Sequence, residues 1–202
     1  MYNRKNLAIK LSKLKGLEKF NIDLEQYQTD TQIASELLWV AYQNGDIKDK
    51  TIADFGSGNG IFGIGALLLG AKIVYFIDID KNTLEICKKN LLDFGINNYY
   101  LLNLDVSNFD KKVDTVLMNP PFGVQKRKAD KRFLEIAMKF SDKIYSIHKI
   151  ESKNFIEVLC EEKGFNVLDI IEREFVIPKI YKFHTKNKHL FSVGIWILGR
   201  NI

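Results

Sequence analysis

The sequence predicts an α/β fold, a mostly parallel sheet with helices on both faces. Three observations predict it. Short apolar runs of strand length alternate with helix-length segments from Thr51 to Lys163. The first of these runs passes directly into a glycine-rich turn and an apolar helix, the opening of a βαβ unit. Another ends abruptly at Asn119-Pro120-Pro121, where consecutive prolines cannot donate to a sheet ladder.

Size and composition bound the rest. The 202 residues suit one domain with a full hydrophobic core, with an N-terminal helical part over 1–45 and a Rossmann-like core over 46–202. Hydrophobic residues make up 46% and charged residues 27%, an ordinary water-soluble balance that argues against disorder. The net charge of +5 suits a polyanionic partner. Cys87 and Cys160 lie far apart without metal-ligand spacing, so they read as reduced thiols of a cytoplasmic protein and no metal is expected. The lysine-rich start lacks an apolar signal segment, and no apolar run reaches membrane-spanning length.

In chain order, Leu7, Leu11, Leu14 and Leu17 recur at helical spacing among lysines, so residues 3–17 read as a basic amphipathic helix. It is either a surface helix packed on the domain or one that also touches phosphates. Thr29 or Asp30 caps a second helix from about Thr31 to Asn44. Thr51 to Phe55 is the first core strand, and Gly56-Ser57-Gly58-Asn59-Gly60-Ile61-Phe62-Gly63 follows, with a helix to about Leu69. Glycines let the backbone turn tightly and approach a ligand. The next strand, Lys72 to Ile77, ends in Asp78-Ile79-Asp80, and an acid there can accept both hydroxyls of a ribose. Lys81 to Phe94 is a helix stopped by Gly95, and Tyr99 to Leu104 is the third strand. The strand around Val113 to Met118 follows, then a helix ending near Phe140. Lys143 to Lys149 is the fifth strand, and Glu151 to Lys163 is a helix stopped by Gly164. Asn166 to Val176 and Leu190 to Leu198 are two long antiparallel strands.

The chemistry gathers at strand ends. Gly58-x-Gly60-x-x-Gly63 followed by Asp78 matches a dinucleotide fingerprint, which alone is a weak signal. Two acids favour S-adenosylmethionine instead. Asp54 stands where a carboxylate would repel a pyrophosphate but can order the loop or meet an ammonium group. Asp105 ends the third strand, where it can accept from an adenine amine while the Val106 amide meets the ring. Asn119 is a polar amide held stiffly by Pro120 and Pro121, with Phe122 just beyond. Its side-chain oxygen and the Pro120 carbonyl offer two adjacent acceptors for the N–H groups of a planar amine. Held that way, the nitrogen becomes pyramidal and nucleophilic, and Phe122 can stack on the flat ring. A Pro-Pro turn with a satisfied asparagine and a core phenylalanine is the plain alternative.

Basic segments flank this point. Five of the eight residues from Gln125 to Arg132 are basic, which makes Lys126, Arg127, Lys128 and Arg132 candidates for phosphate contacts. His148 and Lys149 end the fifth strand beside it. The stretch from Pro178 to His189 mixes four lysines with two histidines and two aromatics, so Lys182, His184 and Lys186 read as an RNA-facing loop or as a solvated hairpin.

These motifs together resemble class I S-adenosylmethionine-dependent amino-methyltransferases. More narrowly, Leu24-Glu25-Gln26-Tyr27, the glycine loop, Phe76-Ile77-Asp78-Ile79-Asp80, Met118 to Gly123, Tyr145-Ser146-Ile147-His148-Lys149 and Tyr181-Lys182-Phe183-His184 resemble the methyltransferase-like protein 5 group, over nearly the whole chain. The resemblance implies a seven-stranded sheet of order 3-2-1-4-5-7-6 with strand 7 antiparallel. It implies N6-methylation of one adenosine in small-subunit ribosomal RNA, with S-adenosylhomocysteine as the other product. It implies cofactor contacts at Gln26, Thr29, Gly56, Asn59, Ile61, Asp78, Asp105 and Val106, and target-adenine contacts at Asn119, Pro120 and Phe122. It also implies a small zinc-containing activator subunit, pairing along the third strand. The apolar edge Tyr99, Tyr100, Leu101 and Leu102 suits such strand addition. This chain departs from the group in carrying Ser57 and Asn59 where cysteines are common, and Gln28 where proline is. Methylation of DNA adenine or protein glutamine, or a non-catalytic RNA-binding assembly role, are the alternatives; a nicotinamide dehydrogenase is more remote.

Overall fold

A computed structural model describes residues 3–17, 21, 26, 28–121, 129–177 and 189–201. Seven strands form one sheet in the order β3-β2-β1-β4-β5-β7-β6. They are β1 (Thr51–Phe55), β2 (Ile73–Asp78), β3 (Tyr99–Asn103), β4 (Thr115–Met118), β5 (Lys143–Lys149), β6 (Phe165–Ile177) and β7 (His189–Arg200). The pairs β1–β2, β2–β3, β1–β4 and β4–β5 are parallel, and β7 runs antiparallel to both β5 and β6. β1 and β4 are covered on both faces, which is why they read as continuous apolar runs rather than alternating ones.

Helices cover both faces. On one, α1 (Arg4–Leu11), α2 (Thr31–Gln43), α3 (Ile61–Leu68) and α4 (Lys81–Asp93) bury Leu7, Leu37, Leu38, Ile64 and Leu84 against Ile52, Leu117, Ile147 and Ile195 of the sheet. On the other, α5 (Ala129–Phe140) and α6 (Lys153–Lys163) bury Leu134, Met138, Ile156 and Leu159 against Val116, Met118, Ile144 and Trp196. Each such side chain contributes about 1.5–3 kcal/mol on leaving water. α3 lies so close to its neighbours that a Cβ on Gly63 would come 2.2 Å from the Phe76 ring, and one on Gly65 would come 2.3 Å from Leu38. That closeness explains glycines inside a helix, where each costs about 1 kcal/mol relative to alanine. No helix among the described residues is long and apolar enough to cross a membrane.

The first helix is shorter than the leucine spacing predicts. It stops at Leu11, with Ser12 at its C-cap, and the Ser12 hydroxyl donates to the Ile9 carbonyl at 2.9 Å. Leu14 still reaches the core. The helix cannot continue because the Lys15 peptide is bound elsewhere. Its N–H donates to Asn90 Oδ1 at 2.9 Å, and its carbonyl accepts from Asn90 Nδ2 and Asn59 Nδ2, both at 3.1 Å.

α2 is tied to α1 and β6 through one carboxylate. Glu36 accepts from Arg4 Nη1 at 3.2 Å and from Arg173 Nε at 2.8 Å. The Arg173 hydrogen bond holds the Glu36 carboxyl below its ordinary range, against the opposing effect of burial. A depressed value means stability that is present at neutral pH and lost as pH falls through the folded value. E36Q is therefore expected to lower the melting temperature by a few degrees at pH 7, about 1 kcal/mol for a charge-assisted pair whose arginines are half-exposed. The difference from the parent closes in acid, which thermal scans from pH 7 to pH 3 would show. A gap that stays constant with pH would assign the effect to packing instead.

Candidate active site

Strand register alone brings the predicted motifs to one edge. Phe55, the last residue of β1, pairs with Ile77 of β2 and Met118 of β4. Gly56, Asp78 and Asn119 are therefore the next residues on three adjacent strands, at their C-terminal ends. In open parallel sheets this edge is where ligands bind.

The glycine loop is pinned over the end of β2. Gly56 N–H and Ser57 N–H both donate to the Ile77 carbonyl, at 2.8 and 3.0 Å. Gly58 N–H donates to Asp78 Oδ2 at 2.9 Å. Gly56, Gly58 and Gly60 have φ of 67°, 54° and 87°, left-handed values that side chains resist. At Gly60 space is also lacking, since a Cβ would lie 2.6 Å from Cys87 Sγ. Ile61, the first residue of α3, is buried just past the loop.

Four acids line the same edge. Asp54 is fully buried, with Oδ2 accepting from Gly63 N–H at 2.8 Å. Burial drives its carboxyl well above the ordinary range and the nearby Asp78 charge adds to this, while the Gly63 bond opposes it. Asp78 accepts from Asp80 N–H at 2.9 Å as well as from Gly58, and burial raises it too. Asp80 caps α4 through Asn82 N–H and also accepts from Gln26 Nε2, both at 2.9 Å. Asp105 Oδ1 accepts from the Ser107 N–H at 2.9 Å and the Ser107 hydroxyl at 2.7 Å, next to the buried Val106. Two buried polar atoms at this edge have no hydrogen-bond partner among the described residues: Asp54 Oδ1 and Ser57 Oγ. An unpaired buried acceptor costs about 1–3 kcal/mol, so both are suited to a ligand that supplies donors.

Asn119 is half-buried at the end of β4, and its Nδ2 donates to Thr29 Oγ1 at 3.0 Å. Pro120 is buried and Pro121 half-buried. Phe122, Lys126, Arg127, Lys128, Lys182, His184 and Lys186 lie outside the described residues.

One expectation changes, the RNA contact at His148. His148 is 1% exposed, not surface-facing. Its Nε2 sits 2.6 Å from Ser146 Oγ, its ring meets Trp196 edge-on, and burial pushes it down to about 3, so it is neutral and beyond the reach of RNA. Arg132 stands exposed on the site rim, its side chain 58% accessible. Its Nη2 donates to Ser107 Oγ at 2.8 Å and its Nη1 lies 3.6 Å from Asp105 Oδ2. The Asn59 side chain serves the Lys15 carbonyl, turned toward the N-terminal segment. Lys149 is half-buried at the end of β5.

Several site residues escape the sequence. Ser57 stands out in the sequence only as a departure from the group's cysteine, and the structure buries it beside Asp78 in the loop. Ile79 is 53% exposed between two acids, an apolar wall beside Asp78. Its signal is the apolar residue itself, directly after a strand-end carboxylate. Phe133 of α5 comes 3.3 Å from where a Cβ on Gly56 would lie, a purely tertiary approach. Among the described residues, no group of three or more His, Cys, Asp or Glu has metal-holding geometry.

Comparison with known proteins settles the family. Residues 27–143 match the model of the methyltransferase small domain. The chain is 35% identical to the rRNA N(6)-adenosine-methyltransferase METTL5 of Danio rerio, over 90% of this chain and 91% of that one. It belongs to the methyltransferase-like protein 5 branch of the small-domain methyltransferases. An uncharacterized protein of Methanocaldococcus jannaschii is also 35% identical, over 92% of this chain and 89% of its own. A crystal structure from Pyrococcus horikoshii, assigned provisionally as an RNA methyltransferase, superposes with a TM-score of 0.92 at 44% identity, covering 100% of both chains. The seven-stranded methyltransferase fold places two buried carboxylates, Asp54 and Asp78, against the glycine loop of this family member. A cationic ligand would stabilise the charged forms of these two carboxyls, whereas a pyrophosphate would oppose them.

Proposed function

We propose that this protein transfers a methyl group from S-adenosylmethionine to the N6-amine of an adenosine in ribosomal RNA, specifically that of the small subunit. The observation that carries the reading is Asn119. Its carboxamide stands at the end of β4, nitrogen engaged by Thr29, one strand away from an acid-walled glycine loop. The enzyme names of the similar chains point to the same reaction.

The residues fit the cofactor. Asp54 and Ser57 offer partnerless buried oxygens to an ammonium or hydroxyl group. Asp78 meets the ribose, Asp105 and Val106 meet the adenine, and Ile79 and Phe133 shield it; Gln26 steadies this end through Asp80. When bound, S-adenosylmethionine supplies an electrophilic methyl group on a cationic sulfur. The protein's part is to hold the nucleophile. The Asn119 oxygen and the Pro120 carbonyl accept the two N–H groups of the target amine, Phe122 stacks on its base, and one amine proton leaves to water. The adenosine is unstacked from a single-stranded or loosened region to reach this edge. Positioning and fixed dipoles supply most of the rate gain, with no charged base.

A zinc-containing activator subunit pairs along the edge strand β3. Tyr100 there is 51% exposed, and Tyr99, Leu101 and Leu102 are half-buried. An apolar sheet edge favours strand addition. We place the protein in the cytoplasm as one domain.

The test is methyl transfer from labelled S-adenosylmethionine to unmodified small-subunit RNA, large-subunit RNA and duplex DNA, with and without the activator, followed by digestion to nucleosides. N6-methyladenosine from small-subunit RNA alone is the expected result. Labelled protein, or no nucleic-acid product with cofactor bound and the activator present, would overturn it.

A further inference from the structure

Besides its bonds to β2, the glycine loop is fastened from α4. Asn90 of that helix is 1% exposed, and both ends of its carboxamide are used. Its Nδ2 donates to the Asn59 carbonyl, inside the loop, at 3.0 Å and to the Lys15 carbonyl at 3.1 Å. Its Oδ1 accepts from the Lys15 N–H at 2.9 Å. Carbonyls only accept and a peptide N–H only donates, so the amide has one workable orientation. Asn59 Nδ2 closes the group by donating to the same Lys15 carbonyl at 3.1 Å. Asn59 stands between Gly58 and Gly60, both at positive φ. Flanking glycines give the loop little stiffness of its own, so its shape depends on what holds it. α4 also supplies Cys87, one turn before Asn90, whose Sγ fills the space beside Gly60.

We infer that Asn90 is a positioning residue for cofactor binding, its carboxamide holding the Asn59 carbonyl of the glycine loop and the Lys15 peptide of the N-terminal segment as one unit. This rests on the reading of the glycine loop as the seat of S-adenosylmethionine. Asn90 grips backbone atoms only, which is why no side-chain pattern at Lys15 announces the contact. Coupling of this kind is reciprocal: the clamp supports the cofactor, and the cofactor keeps the clamp closed.

N90A takes the partner from the Asn59 carbonyl and the Lys15 N–H. N90D keeps an acceptor for that N–H but sets a second oxygen against two carbonyls. Both are expected to weaken S-adenosylhomocysteine binding about tenfold by calorimetry. N98A serves as the control for general destabilisation. Asn98 Nδ2 donates to the Ala71 and Lys72 carbonyls at 3.3 and 2.9 Å, at the opposite end of β2. Its loss is expected to lower the melting temperature while affinity stays within about twofold. A second readout needs neither turnover nor a variant. In the parent, S-adenosylhomocysteine is expected to slow hydrogen exchange at the Lys15 amide, along with the glycine-loop amides, by about fivefold or more, because loop and clamp open together. This measurement decides the matter if the Asn90 variants do not fold. If the parent binds no S-adenosylhomocysteine, that failure belongs to the proposed function, and exchange in ligand-free N90A decides the clamp, with faster exchange expected at Lys15 and across the loop. Unchanged exchange there overturns the inference. So does a cofactor that protects the loop but not Lys15, or an N90A protein whose affinity loss is no larger than that of N98A.

Discussion

Replacing Asn119 with alanine is expected to lower the rate of methyl transfer by about 100- to 1,000-fold, the usual cost of removing one preorganised polar group at a reacting centre. The amine of adenine is a poor nucleophile because its lone pair is delocalised into the ring. Acceptors at both N–H groups draw the nitrogen toward a tetrahedral shape and free the lone pair. The Pro120 carbonyl remains in N119A, so half of the arrangement survives, and that is why the loss is finite. The fold should survive as well. Asn119 is half-buried, and beneath it β4 keeps Val116, Leu117 and Met118 fully buried. Melting temperature and S-adenosylhomocysteine affinity are therefore expected to change little, while single-turnover transfer collapses. An N119A protein with the parent rate would remove Asn119 from the reaction altogether.

The second large effect has opposite signs for stability and binding. Asp54 is fully buried with one oxygen lacking a partner among the described residues, and its carboxyl is raised well above the ordinary range, chiefly by burial. A raised folded value means that the native state holds the proton more tightly than the unfolded chain. The stability so contributed is complete in acid, below the ordinary carboxylate range, and is lost as pH rises through the folded value. At neutral pH the ligand-free protein thus carries either a buried charge or the cost of neutralising it. D54N keeps an oxygen for Gly63 N–H and removes that cost. It is expected to stabilise the ligand-free protein at pH 7 by about 2 kcal/mol, or roughly 4–8 °C. The gain shrinks toward zero as pH falls to about 4. The same change removes a charge-assisted partner for a cationic cofactor, worth about 10- to 100-fold in affinity. Thermal scans across pH, with and without S-adenosylhomocysteine, measure both. A D54N protein that is less stable at pH 7 and binds cofactor normally would show that Asp54 serves the loop alone.

The central strands could be read from the residues because they announce themselves, whereas their order in the sheet followed only from the family resemblance. Thr51 to Phe55 and Thr115 to Met118 are short, apolar and bounded by glycine or proline, and buried parallel strands have little other way to look. The three acids and Asn119 were legible for a related reason: a polar residue at the end of such a strand has no structural role in the ladder. What could not be read were contacts between distant segments. Leu14 keeps helical spacing with Leu11, yet the Lys15 peptide is claimed by Asn59 and Asn90, so the helix ends early. His148 reads from the sequence as a strand-end residue beside the site, suited equally to a structural role or to an RNA contact. Alternation with Ile144 and Ser146 places it on the face packed by Trp196, and only the arrival of β7 shows that this face is interior. The pairing of Asp105 with Arg132 and the approach of Phe133 to Gly56 depend on how α5 lies across the sheet, which no local pattern encodes.

The ties of the N-terminal segment bear on how the protein is made. Lys15, Gln26 and Thr29 leave the ribosome before any strand does. Their partners follow much later: Asn59 after 44 residues, Asn90 after 75, Asp80 after 54 and Asn119 after 90. Each closure encloses a long loop, whose entropy must be offset by contacts that do not yet exist. The first part synthesised is therefore among the last to settle, and Thr29 has no place to dock until β4 has joined the sheet. A nascent chain halted before β4 would carry its glycine loop and its acids but no competent methyl-transfer site.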